Sequence, residues 1–312
     1  MNRVYAKKTK DLEKDIKQLI KQLGINKEPE GSKLFIKINL SLDRDYPGTT
    51  TRPDFLEILI KELSKKYNVS AGDADSTSNS ADLALKVTGT GQAIINAGGT
   101  PINLSKDKKT LIKNDKCRWL KHVWMPSSII NADCVISLAL LKTHVFTTMT
   151  GTIKNMFGSL PGMKILYHPR LNEAIHDSLM ITKPDYAIID GRVGMEGRGP
   201  VEGTPVKTGM ILGSDNLISC DSEAACIMGF KPELIKHLSI CNQSIKGFDY
   251  KLIGHKIRQH YKPANKGIID QLQELSLKNK ALTYLCYKTP LFKAIKGTAK
   301  TLKDLGRWRR NK

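Results

Sequence analysis

Between Lys8 and Leu23 the apolar residues Leu12, Ile16, Leu19, Ile20 and Leu23 fall three and four apart, which places them on one stripe of a helix that Gly24 closes. Residues 33–40, KLFIKINL, make an apolar run of strand length, and Phe55, Leu56, Leu59, Ile60 and Leu63 return to helical spacing over 53–66. A short strand at 67–71 runs into GDADSTSNSAD, whose turn chemistry leads to a helix over 81–97. VISLALL at 135–141 and YAIID at 186–190 are continuous apolar runs bounded by polar residues, the pattern of strands covered on both faces. A helix near 172–182, a strand GMILG at 209–213 and a helix from Asp221 to Met228, stopped by Gly229, complete the alternation. The pattern predicts an α/β fold with a mainly parallel sheet and flanking helices, in which ligands bind beyond the C-terminal ends of strands. The loops after residues 40, 71, 141 and 190 are therefore the places to seek chemistry. Residues 100–130 are mixed: the sheet either divides there into two lobes with a cleft between them or runs on as one layer.

The 312 residues, 40% hydrophobic and 26% charged, have the composition of a globular chain of one large or two modest domains. Charge changes the picture in two ways. The net is +20, which points to anionic ligands or partners. Residues 251–312 carry 16 Lys or Arg against 3 Asp or Glu, so +13 of that charge lies there and +7 in residues 1–250. We therefore separate an α/β core at 1–250 from a basic C-terminal segment at 251–312. Over residues 276–312 Leu, Tyr, Phe, Ile and Trp interleave with Lys and Arg, as in a basic amphipathic helix that lies on an anionic membrane or nucleic acid or packs on the core. No run approaches the ~18 apolar residues of a membrane span, and the Lys-rich start lacks the features of a signal peptide. The six cysteines contain no C-x-x-C, which suits a reducing cytoplasm and argues against a Cys-ligated iron-sulfur cluster.

The densest chemistry follows the 135–141 strand. Lys142, Thr143, His144, Thr147, Thr148, Thr150, Lys154, Asn155, Lys164 and His168 fall within one short span. Lysines there would neutralise phosphate or carboxylate, while threonine hydroxyls and glycine amides supply oriented donors. His144 or His168 could act as base or metal ligand, and a desolvated Lys154 could be nucleophilic. Residues 190–205, with five glycines and two prolines, read as a loop that approaches something closely, with Asp190 directly after a strand and Glu196 as acid, base or ligand. The loop after residue 40 offers Asn39, Asp43, Asp45, Thr50, Thr51 and Arg52, with Pro53 opening a helix. Asp73 and Asp75 read chiefly as turn and cap residues, with a hard cation as the alternative, and TGTGQA at 88–93 is a weak nucleotide signal because no strand precedes it.

Taken in order, Lys37-Ile38-Asn39, Gly72-Asp73, Leu141-Lys142-Thr143-His144, Thr150-Gly151, Lys154-Asn155-Met156-Phe157-Gly158, His168, Asp190-Gly191, Glu196-Gly197, Gly199-Pro200, Gly203 and Asp221 resemble the uncharacterised family catalogued as "domain of unknown function" three-six-two, over about residues 33–255. Many members look like iron-sulfur proteins through an added ferredoxin-like cysteine module, which this sequence lacks. A more distant similarity is to the apoprotein of nickel-dependent lactate racemase. That resemblance rests on His144, Lys154 and His168 in the same order and on Thr51-Arg52-Pro53, and it implies a pincer-type nucleotide attached to the lysine.

The expectation is an enzyme acting on a small anion, by metal- or cofactor-assisted proton or hydride chemistry of the isomerase or oxidoreductase kind. In this reading Lys142 and Arg52 hold the anion with Asn39, Thr143, Thr150, Asn155 and Glu196. His144 transfers a proton, Lys154 is nucleophile or cofactor anchor, His168 is metal ligand or second base, and Asp190 orients. The other reading is an anion-binding module driven by the basic tail.

Overall fold

The computed structural model describes residues 1–267 apart from 43, 45, 77 and 78, so the tail at 276–312, Asp43 and Asp45 lie outside the described residues. Two compact units emerge: Met1–Lys164 with Leu171–Asn265, and Ile165–Arg170 with Lys266–Lys312. In the second, 165–170 belong to a 3-10 helix, Lys164–Arg170, that carries His168.

The first unit opens with β1 (Asn2–Lys8) and α1 (Leu12–Leu23), whose first turn is capped by the Asp11 carboxylate. Then come β2 (Lys33–Lys37), α2 (Pro53–Leu63), β3 (Asn68–Asp73), α3 (Ala81–Val87), α4 (Thr90–Asn96) and β4 (Thr100–Asn103). The helix expected over 81–97 is thus two, broken at Gly89, whose φ of +75° no regular helix accommodates. A separate two-stranded sheet, β5 (Lys109–Lys113) and β6 (His122–Pro126), leads through α5 (Ser127–Ile130) to β7 (Cys134–His144), β8 (Thr148–Met149) and α6 (Gly151–Phe157). After α7 (Leu171–Thr182) follow β9 (Tyr186–Glu196), β10 (Thr204–Ser214), α8 (Leu217–Ile227), α9 (Lys236–Ser244) and β11 (Tyr250–Gly254).

The main sheet has the order β11-β1-β10-β9-β7-β2-β3-β4 with β8 appended to β7; only the β1–β10, β9–β10 and β7–β8 pairs are antiparallel. It runs unbroken past residues 100–130, because β4 joins its edge and β7 returns to its centre. β11 lies in this unit, which continues to Asn265, beyond the composition change at 250. On one face Leu34, Ile36, Ile136, Leu138 and Ile188 pack with Ile16, Leu19 and Leu23 of α1 and Phe55, Leu59 and Ile60 of α2 in a single apolar cluster. Side chains alternate along a strand, so Phe35 and Lys37 turn to the other face, and both are fully buried. From β2 the chain crosses towards β3 and β4, and only later returns on the other side of β2 as β7. The β2–β7 pair is therefore the switch point, beyond whose carboxyl ends a crevice opens in sheets of this kind.

The Gly-rich segment 190–205 differs from the expected loop. Most of it is strand, β9 continuing to Glu196 and β10 starting at Thr204. Four of its five glycines, Gly197 excepted, make room for protein: a Cβ at Gly191 would lie 2.8 Å from Leu141 Cδ1, and one at Gly194 2.2 Å from the Tyr261 hydroxyl.

Candidate functional site

Two lysines sit at the carboxyl ends of the strands flanking the switch point. Lys37 ends β2 and Lys142 lies near the end of β7, both with no exposed surface. Buried ammonium groups need partners, and here the first two loops supply them. Lys37 Nζ lies 2.6 Å from Asp73 Oδ1 and donates to the Ile38 carbonyl at 2.7 Å. Lys142 Nζ donates to Asn39 Oδ1 at 2.7 Å, Ser41 Oγ at 2.9 Å and the Thr49 carbonyl at 2.8 Å, which uses all three of its protons.

The frame around them is bonded throughout. Asn39 donates its amide to Thr51 Oγ1 and receives the Thr51 amide on its carbonyl, both at 2.9 Å, so the Thr51-Arg52-Pro53 turn is clipped to the crevice wall. Asn155 Nδ2 donates to the carbonyls of Lys37 (2.8 Å) and Leu138 (3.2 Å), joining α6 to both strands. Asp73 holds the Leu40 amide on its other oxygen at 2.9 Å. Gly158 closes the frame from above: a Cβ there would approach Lys37 Nζ to 3.1 Å and Asp73 Oδ1 to 3.2 Å.

Helix α6 is aimed by an acid on another helix. Asp221 of α8, fully buried, accepts the Thr152 amide at 2.7 Å, the Thr152 hydroxyl at 2.8 Å and the Ile153 amide at 2.9 Å. It thereby occupies the N-terminus of α6, where free amides would otherwise seek an anion. Gly151 is required beside it, since its φ is +65° and a Cβ would meet Asp221 Oδ2 at 2.5 Å. Burial pushes the Asp221 carboxyl up to about 6, with the two amides and the hydroxyl opposing.

Lys154 is the odd member. It projects from α6, partly buried, with its ammonium 5.5 Å from the Phe157 ring centre and no hydrogen bond or ion pair to any described residue. Burial, with Lys37 adding repulsion, pulls it down to about 8. Burial, then repulsion from Lys154 and Lys37 against the pull of Asp73, brings Lys142 to about 7. Burial also lowers Lys37, against the pull of Asp73, and takes Lys164 to about 8. Lys37 thus repels each of the other three ammonium groups, and Asp73 steadies Lys37, Lys142 and Lys164. Two orphaned polar groups accompany them. The Thr150 hydroxyl, four residues before Lys154, is buried without a hydrogen-bond partner, and so are both ring nitrogens of His237 on α9. Burial and the Lys154 charge hold His237 at about 3, so its imidazole is neutral.

The remaining candidates are placed as follows. Thr143, on β7, donates its hydroxyl to the Gly197 carbonyl at 2.9 Å and so ties the strand to the β9–β10 turn. His144, the last residue of β7 and 7% exposed, accepts the Phe146 amide on Nδ1 at 3.1 Å, which leaves Nε2 to carry the proton of the neutral ring. Arg52 Nε stands 3.8 Å from Asp54 at the start of α2. Asp190 lies inside β9, not in a loop, and is bound by Arg192 Nε at 2.9 Å and Nη2 at 2.8 Å; Arg192 in turn grips Asp54. Glu196 accepts the Lys262 amide at 2.9 Å. Both carboxylates are therefore held by Arg192 or Lys262, and among the described residues neither bonds to Lys37, Lys142 or Lys154. Among the described residues no three His, Cys, Asp or Glu side chains converge as a metal-ligand set. His168 lies in the second unit.

From the sequence Lys37 carried only the family resemblance, and Asp73 read chiefly as a turn or cap residue with a hard cation as the alternative, whereas the structure pairs the two. The available signal was a lysine inside an otherwise apolar strand, a position that demands an acid nearby.

These features define an α/β protein that gathers buried and partly buried lysines at the switch point of a mainly parallel sheet. Sequence comparison is more specific: the chain belongs to the family described as "Domain of unknown function (DUF362)", whose profile matches residues 34–226. A thylakoid-associated protein of Synechocystis sp. is 33% identical over 122 residues, 36% of this chain and 38% of that protein, so the match spans well under half of either. The solved lactate racemase apoprotein from Thermoanaerobacterium thermosaccharolyticum superposes with a TM-score of 0.44 at 11% identity, covering 70% of this chain and 55% of its own.

Proposed function

We propose that the chain is an enzyme that binds a small phosphate- or carboxylate-bearing substrate at the carboxyl ends of β2 and β7. The observation that carries this reading is the ammonium of Lys154, which has no polar partner among the described residues and stands beside two buried lysines whose own protons are already spent. Uncompensated buried charge is expensive, and an anion is the simplest group to balance it. The buried, unpartnered Thr150 hydroxyl supports the same reading by offering a donor on the Lys154 side of α6. In this proposal Lys142 and Lys37 set the field without touching substrate, Lys154 makes the direct contact, and Asn39 and Asn155 keep the frame rigid. A lysine at about 8 has a useful neutral fraction near neutral pH, so Lys154 is also the group to attack a carbonyl or to anchor a cofactor. His144, with its tautomer set by Phe146, is the proton-transfer group of the proposal.

The test is calorimetric titration of sulfate, phosphate and lactate into the full-length protein and its Lys154→Ala variant. The same samples are examined by intact mass and metal analysis. Saturable binding by the parent and at least tenfold weaker binding by the variant is the expected result. Equal binding by both would remove Lys154 from the site, and an added mass present only in the parent would identify it as an anchor.

A further inference from the structure

The β5–β6 sheet stands apart from the main sheet and shows one of its faces to solvent. Leu111 and Trp124 are cross-strand partners on that face, 41% and 57% exposed, while Val123 and Met125 on the other face are buried. Two large apolar side chains side by side in water require a reason, because single exposed residues are common but adjacent ones mark contact surfaces. The same strands put Lys109 and Lys113 on either side of Leu111, and Lys113 pairs across the ladder with His122. Over residues 104–126 seven Lys or Arg stand against two Asp, and all seven are exposed.

The element is mounted firmly. The Asp177 carboxylate of α7 accepts the amides of Arg118 and Trp119 at 2.7 Å and of Leu120 at 2.8 Å, and His176 supports Asp177 at 2.8 Å. Asn114 Nδ2 donates to the Met180 carbonyl at 2.9 Å, and Thr110 and Ser127 share a hydrogen bond at 2.9 Å. The Leu111–Trp124 face is thus a fixed surface rather than the side of a loose arm.

We infer that the outer face of β5–β6 docks on an anionic lipid bilayer, with Trp124 and Leu111 entering the interfacial layer and Lys113, Lys116 and Lys121 meeting the headgroups. Tryptophan is the side chain best suited to the water–hydrocarbon boundary, and lysines beside it add attraction to acidic lipid. A second copy of the chain fits poorly, since a two-fold contact through this face would oppose one basic rim to another. A single-stranded nucleic acid fits less well than a bilayer, because base stacking calls for successive aromatic platforms and half of this apolar pair is a leucine.

The experiment uses the full-length protein with Trp119→Phe and Trp308→Phe, so that Trp124 is the sole tryptophan. It is mixed with vesicles of phosphatidylcholine alone or with about one-third phosphatidylserine, in versions with and without brominated acyl chains. Expected are a blue shift of emission and bromine quenching with the acidic vesicles, both fading as salt rises. In the parent sequence Leu111→Ser with Trp124→Ser should weaken co-sedimentation at least tenfold without changing the melting temperature, since both residues are exposed. Binding with Trp124 neither shifted nor quenched would overturn the inference and assign docking to another segment, such as the basic tail. Absence of binding to either vesicle would overturn it as well. Quenching of Trp124 by single-stranded RNA but not by vesicles would reassign the face to nucleic acid.

Discussion

The proton inventory of the lysine cluster gives the sharpest test of anion binding. The perturbation is pH, and the probe is sulfate, which does not itself titrate in the range used. With Lys154 at about 8, its ammonium fraction falls from near unity at about pH 6.5 to about 3% at about pH 9.5. If that ammonium makes the direct contact, the dissociation constant rises about thirtyfold across this range. The sign of the linked proton follows from the same shift. Bound anion favours the charged amines and raises their depressed pKa values, so binding takes up protons. At about pH 7.5 roughly a quarter of Lys154 (about 8) is neutral, while the three acceptors around Lys142 keep its ammonium charged, so the uptake at that pH is about a quarter of a proton and rises towards one by about pH 9. Calorimetry in two buffers of different ionisation enthalpy measures this number directly. For scale, a charge-assisted hydrogen bond contributes about 1.5–3 kcal/mol, so Lys154→Met should weaken sulfate by roughly ten- to one-hundred-and-fifty-fold. A dissociation constant that stays flat from pH 6.5 to 9.5, with heats independent of buffer, would refute the reasoning.

Other consequences follow from the frame. Asp73→Asn leaves the buried Lys37 ammonium without its counter-ion and should lower unfolding free energy by about 3–5 kcal/mol in urea titration, with Lys37→Met in the same chain restoring much of it. Asp221→Ala orphans two amides and a hydroxyl at the start of α6 and should destabilise by about 2–4 kcal/mol; Gly151→Ala, which forces a side chain into φ +65° against Asp221, should act in the same direction. The pH dependence at Asp221 runs opposite to that of an ordinary ion-paired acid. Its folded pKa of about 6 lies above the unfolded 3.8, so its contribution weakens the fold as pH rises from 4 to 6, and Asp221→Asn should flatten that part of the stability profile. Asp190→Asn should loosen the Arg192–Asp54 contact and lower the melting temperature while leaving sulfate affinity within about twofold, since Asp190 is bonded to Arg192 and, among the described residues, to none of the buried lysines; a tenfold loss of affinity would return Asp190 to the site.

The alternation of apolar runs determined the class of fold, and the reason is local. A strand covered on both faces has no polar periodicity, and VISLALL and YAIID have none, while the stripe on α1 and α2 matches the face they bury. The same alternation marked the ends of β2 and β7 as the place where polar residues would carry chemistry, and Asn39, Lys142, Lys154 and Asn155 are indeed gathered there. What the chain order could not decide is which charges would cancel. Asp190 and Glu196 look like free loop carboxylates in the sequence, but β9 runs on through both, so that Asp190 shares a strand face with Arg192 two residues on, and Glu196 meets the backbone amide of Lys262 beyond β11. Asp73 looks like a turn cap, yet it closes on a lysine thirty-six residues earlier because β2 and β3 lie side by side. Asp221, which marks only a helix in the sequence, reaches across to α6 and takes the helix terminus that an anion would otherwise have used. Hydrophobic periodicity is a property of neighbours along the chain and is legible there. Electrostatic balance is a property of neighbours in space, so only the tertiary structure shows that Lys154, among the described residues, meets an aromatic ring and no counter-ion.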